Sequence, residues 1–138
     1  MRIKATELLA LQRYWNWADH MYKHYREREA SYTDERKAHW EPYLAYWLGG
    51  LFVVCEGWRR LALTDDIVDK LLKDKAKLGL LELYRHGAFH YQRDYFDRRF
   101  LNVWDDAKFW LWVRRLHRAL GRAVKDDVKH LPRRTSSP

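Results

Sequence analysis

One cysteine, three prolines and six glycines are spread over 138 residues. A single thiol, Cys55, leaves no internal disulfide framework and fits a reducing compartment. So little Gly and Pro leaves few turns, whereas a β-sandwich or barrel needs many, so an all-β fold is excluded. Long apolar runs are missing too. The longest stretch without a charge, Pro42 to Cys55, is 14 residues, short of the ~18 that a spanning helix needs. The first residues carry Arg2, Lys4, Glu7 and Arg13 with no apolar segment of signal-peptide type. The expectation is a soluble, cytoplasmic protein with no membrane partner. There is no Gly-rich phosphate loop and no Gly-x-Ser-x-Gly. Gly49-Gly50 follows a helical pattern rather than a strand, which excludes a dinucleotide fingerprint.

What the chain does have is aromatic mass and an uneven charge. Hydrophobic residues make up 47% and aromatics 16%, with 8 Trp, 9 Tyr and 5 Phe. That suits one core built from a few large side chains, in a chain whose length fits one domain. Residues 1–84 hold 14 basic and 13 acidic side chains, and residues 85–138 hold 13 and 6. Nearly all of the net +8 therefore sits in the C-terminal part. A concentrated basic field favours polyanions, nucleic acid above all. The competing use of such charge is solubility.

Apolar periodicity predicts helices throughout. Leu8, Leu11, Trp15, Ala18, Tyr22 and Tyr25 recur at three and four, a helical stripe running to about Arg28 with Thr6 as its cap. Ala30 to Asp34 reads as a connection, with Thr33 capping a short turn. Pro42 fits the first turn of a second helix to about Leu63. This helix is apolar on most sides and so belongs at the centre of a bundle. Gly49-Gly50 within it implies a kink or close approach of another backbone. Thr64-Asp65-Asp66 starts a short helix to Leu72. Lys73 to Lys77 reads as a charged loop, Leu78 to Tyr91 as a helix, and Gln92 to Trp104 as an irregular connection or an extension of that helix. Asp105-Asp106 opens the last helix, to about Lys129. On it Phe109, Val113, Leu116, Leu120 and Ala123 share one side, and Arg114, Arg118, Arg122, Lys125 and Lys129 form a ridge on the other. The expected architecture is an all-α, four- to five-helix bundle over residues 1–131, followed by a disordered tail, 132–138. The ridge is expected to attract phosphates without reading sequence.

Candidate chemistry is sparse. Cys55 lies in the apolar run, where a thiol is a packing residue and not a nucleophile. His20 and His24, and His86 and His90, are spaced i, i+4 and offer two nitrogens on one helix face. Neither pair has the Glu-x-x-His company of a metal helix, so no metal and no cofactor are expected.

The segment Tyr84-Arg85-His86-Gly87-Ala88-Phe89-His90-Tyr91 contains Arg-x4-His with a polar residue straight after the Arg. It resembles the signature of the HEPN superfamily (higher eukaryotes and prokaryotes nucleotide-binding). These are small all-α domains, many of them metal-independent ribonucleases. The resemblance covers the motif, the size and the helical architecture. It implies a motif near the start of a late helix, with two copies meeting in a homodimer to form one active site. A toxin or defence setting, with an antitoxin partner, is compatible with it.

The residues suit that chemistry. RNA carries its own nucleophile, the 2′-OH. Imidazole, with an ordinary pKa of about 6.5, can take or give a proton at neutral pH. A guanidinium can bind two oxygens of a negatively charged phosphorane-like state. The products would be a 2′,3′-cyclic phosphate and a 5′-hydroxyl. On this reading His90 moves the proton, Arg85 stabilises the phosphate and His86 positions the pair or holds RNA. Gly87 leaves room for the substrate backbone, and Tyr84 and Tyr91 stack a base unless they pack the core. On an ideal helix Arg85 and His90 point about 140° apart. They meet at one phosphate only if Arg85 stands at a helix end or a second subunit completes the site. The competing reading has Arg85 paired to Glu82 or Asp94 and His90 packed in the core. Two further functions stay open: a non-catalytic HEPN-like binding or assembly module, and a metal or small-ligand pocket lined by Trp and His.

Overall fold

The computed structural model describes residues 3–30 and 40–132. All the regular structure among them is helical: α1 (Ala5–Ala30), α2 (Glu41–Arg60), α3 (Asp66–Leu72), α4 (Lys75–Phe89), α5 (Arg98–Trp104) and α6 (Ala107–Lys129). No helix among the described residues is long and apolar enough to cross a membrane. Among the described residues six helices replace the four or five expected, because α5 is a separate helix of about two turns. The proposed cap Thr33 and the tail from residue 133 lie outside the described residues.

Caps set most of the helix starts. Asp65 accepts from the backbone N–H of Ile67 and Val68 at 3.0 Å each, and Asp106 accepts from that of Phe109 at 3.0 Å. Each satisfies N–H groups that the first turn leaves without partners. Pro42 sits in the first turn of α2, where a missing N–H removes no helical bond. Two expectations need correction. Thr6 lies inside α1, and it is the Glu7 carboxylate that accepts from the Lys4 N–H, at 3.2 Å. The Lys73–Lys77 segment is not a loop. Asp74 caps α4 by accepting from the Lys77 N–H and pairs with the Lys77 Nζ at 2.6 Å, so the helix starts three residues early.

α2 and α6 are the two most buried helices, and α1 lies against both. α2 also packs on α4, and α6 on α3 and α5. The expected stripe of α1 is in place: Leu8, Leu11, Trp15 and Ala18 are buried and Tyr22 and Tyr25 pack against the core. The expected inner face of α6 is buried in full. Gly50 accounts for the close α1–α2 approach, since a methyl group there would stand 3.3 Å from the Ala18 Cβ and 3.7 Å from its Cα. A methyl at Gly49 would overlap the Phe89 ring, which lies on α2 in its place. Cys55 is buried, and desolvation pushes its thiol up to about 12, so it is a packing residue.

The sequence did not disclose the polar centre of this core. His117 of α6 is 2% exposed. Its Nδ1 accepts from the Trp47 indole N–H at 3.1 Å, so its Nε2 carries the proton and donates to Asp19 Oδ1 at 2.9 Å. Trp15 donates to the His117 carbonyl at 2.9 Å, and Lys23 pairs with the other Asp19 oxygen at 3.0 Å. Burial lowers the His117 pKa more than the Asp19 carboxylate raises it. Burial would raise the Asp19 carboxyl, but its bonds from His117 and Lys23 prevail and lower it. The consequence for acid stability has a definite sign. Above the ordinary imidazole value of 6.5 both folded and unfolded His117 are neutral. Below it the unfolded chain takes up a proton that the fold refuses, so stability falls as pH drops. Asp19 adds a further loss only below its ordinary 3.8. The urea midpoint is expected to be lower at about pH 5 than at about pH 7.5. A midpoint that does not move would contradict the buried neutral imidazole.

Candidate functional site

The Arg-His-x-x-x-His segment closes α4 rather than opening a helix. The helix ends at Phe89, and His90 is the cap, with extended backbone (φ −127°, ψ 130°) and its N–H bonded to the His86 carbonyl at 3.1 Å. Gly87 leads into this end but is not itself open to a ligand. A methyl there would come within 3.0 Å of the Arg99 Cβ and 3.2 Å of the Phe100 ring. The glycine thus serves the packing of α5 on α4, and the expected space for a substrate backbone is filled by α5.

The motif side chains divide between two faces. His86 and His90 are both exposed, with ring centroids 4.5 Å apart and planes tilted by 33°. Arg85 is half-buried, its guanidinium carbon 5.4 Å from the centroid of the Phe52 ring. It borders a groove shared with Trp17, Tyr46 and Phe89. Among the described residues no carboxylate pairs with Arg85, so the alternative partners Glu82 and Asp94 are not engaged, and His90 is not a core residue. The two-faced arrangement is what the 140° separation demands. It is His90 and not Arg85 that stands at the helix end.

The two tyrosines part company. Tyr84 is 1% exposed and meets Phe100 edge-on at 5.5 Å, and burial raises its phenol pKa. It is a core residue and is not available to stack a base. Tyr91 is 92% exposed. The connection that follows it adds Tyr95 and Phe96, also exposed, in an edge-on pair at 5.1 Å. Sequence reading passed over these two because the segment has no periodicity. Their available signal was large rings among charges, where no helix face exists to bury them.

This connection is held by its own polar groups. The Gln92 amide donates to the His90 carbonyl at 2.8 Å, and its oxygen accepts from Arg99 at 2.9 Å. Arg99 also pairs with Asp97 at 3.0 Å, and Asp97 caps α5 through the Arg99 N–H. Asp94 accepts from the Phe96 N–H at 2.9 Å. The bonds fix the backbone next to His90 and leave the rings outside.

The basic ridge of α6 is only partly free. Arg122 makes two 2.9 Å bonds to Asp65, the cap of α3; burial would raise the Asp65 carboxyl, but the Val68 N–H, Arg122 and the Ile67 N–H together prevail and lower it. Lys125 lies 4.4 Å from the Trp15 ring centroid. Arg114 is half-buried at a cavity between helices. Arg118 and Lys129 remain exposed. The ridge expected to bind phosphates is therefore committed in part to the fold.

Among the described residues no group of three or more His, Cys, Asp or Glu side chains is placed to hold a metal ion. Comparison with protein-family models, with curated proteins and with solved structures finds no match to this chain.

Proposed function

We propose that the chain is a HEPN-type, metal-independent endoribonuclease acting on single-stranded RNA, with its site completed by a second copy. The observation that carries this reading is the exposed His86–His90 pair beside a fixed connection bearing Tyr91, Tyr95 and Phe96. Two imidazoles free of the core can take and return a proton. Exposed rings offer stacking surfaces for unpaired bases, worth about 1–3 kcal/mol per base. The C-terminal excess of positive charge supplies the phosphate attraction. Arg85 has the guanidinium that the reaction needs, unpaired by any described carboxylate, but on another face of α4. A homodimer that sets one copy's Arg85 beside the other copy's His90 resolves the separation.

His90 takes the 2′-OH proton, the 2′-oxygen attacks the adjacent phosphorus, and the 5′-oxygen leaves with a proton returned by an imidazole. No metal is invoked, so cleavage of a single-stranded RNA is expected to persist in EDTA. Activity lost in EDTA would overturn the metal-independent chemistry. RNA bound but never cleaved would leave the non-catalytic binding module as the function.

A further inference from the structure

A cavity of about 560 Å³ lies where the C-terminal part of α1, the start of α2, the end of α5 and the start of α6 converge. We propose that it is a binding site for a small planar aromatic anion, a function separate from that of the α4 motif. Its volume lies within the range of about 300–1,000 Å³ typical of small-molecule sites. Among the described residues six rings wall it: Tyr22, Tyr25, Trp40, Trp47, Trp104 and Trp110. They come from four elements, and several already pack on one another: Tyr25 stacks on Trp47 at 5.6 Å, and Trp40 meets Trp104 edge-on at 6.5 Å. A flat ligand finds ring faces and edges here, which favour offset or edge-on aromatic partners.

The polar groups decide the rest. The Trp104 indole N–H is buried and has no hydrogen-bond partner among the described residues. The same N–H is closed to solvent, so a ligand in the cavity meets the ring of Trp104 and not this donor. The Trp47 N–H is already used by His117. An aromatic box alone also suits a quaternary ammonium. Charge argues against that here. Among the described residues Arg26 and Arg114 line the cavity against one carboxylate, Glu29. Arg26 is bonded to the Tyr22 hydroxyl at 3.0 Å, and Glu29 interacts with the Tyr25 phenol. Arg114 has no carboxylate among the described residues. The ligand therefore has a ring for the aromatic walls and a negative group for Arg114.

The test uses the whole ¹⁵N-labelled protein, indole-3-acetate as the probe, and the indole N–H resonance of Trp104, assigned by its loss in Trp104→Phe. Titration is expected to move that resonance saturably. Arg114→Gln is expected to weaken indole-3-acetate by about tenfold or more, the loss of one charge-assisted bond, and to change the binding of neutral indole little. A Trp104 resonance that stays fixed at millimolar probe would overturn the proposal. So would equal affinity of the Arg114→Gln protein for indole-3-acetate, or movement with tetramethylammonium in its place. RNA cleavage enters none of these readouts, so the cavity and the ribonuclease site stand or fall separately.

Discussion

Replacing His90 by alanine is expected to slow RNA cleavage by about 10²–10⁴-fold, the usual contribution of a positioned acid or base. The melting temperature is expected to stay where it is. His90 is exposed, and its ring lies beside that of His86. The backbone bonds that end the helix, from the His90 N–H to His86 and from Gln92 to the His90 carbonyl, do not involve its side chain. Surface substitutions of this kind move stability by no more than about 0.5 kcal/mol. Initial rates on a fluorescent single-stranded RNA and a melting curve check both halves. A rate equal to that of the unsubstituted protein would remove His90 from the chemistry.

The second large effect falls on the core. Trp47→Ala is expected to destabilise the protein by about 3–5 kcal/mol, as for large aromatic truncations in general. Trp47 is fully buried and its ring lies 4.3 Å from that of Tyr22 and 5.6 Å from that of Tyr25. Its N–H is the donor that fixes the tautomer of His117. Truncation therefore opens a hole and also leaves a buried imidazole nitrogen without its partner. Trp47→Phe fills most of the volume and leaves that nitrogen unpaired, a loss of about 1–3 kcal/mol. Urea unfolding separates the two. An unchanged midpoint in Trp47→Ala would mean that the centre of the core lies elsewhere.

Much of this fold is legible along the chain because it is local. The α1 stripe, the two-sided α6 and the Asp65 and Asp106 caps all follow from residues within a few turns of each other. The start of α4 was obscured by four lysine and aspartate side chains within the five residues Lys73 to Lys77, although Asp74 was a capping residue in plain view. α5 spans seven residues, too few for a period to register. His117 sits next to Leu116 on the apolar side of α6, but its partner Asp19 is 98 residues away, and no local pattern reports such a pair. The same distance effect divides the candidate site. The exposure of His90 and the burial of Tyr84 depend on where α5 turns back on α4, and the loss of Arg122 to Asp65 depends on the packing of α3 on α6. The six rings of the cavity come from positions 22 to 110, so only the assembled helices make it visible.

The central claim is that one copy's Arg85 works with another copy's His90. Mixing Arg85→Ala protein with His90→Ala protein tests it most directly. Each variant alone is expected to be inactive. After exchange of subunits, mixed dimers hold one intact Arg85 and one intact His90 on different chains, and the account predicts that RNA cleavage returns. A mixture that stays inactive, with mixed dimers verified by differential tagging, would contradict the composite site.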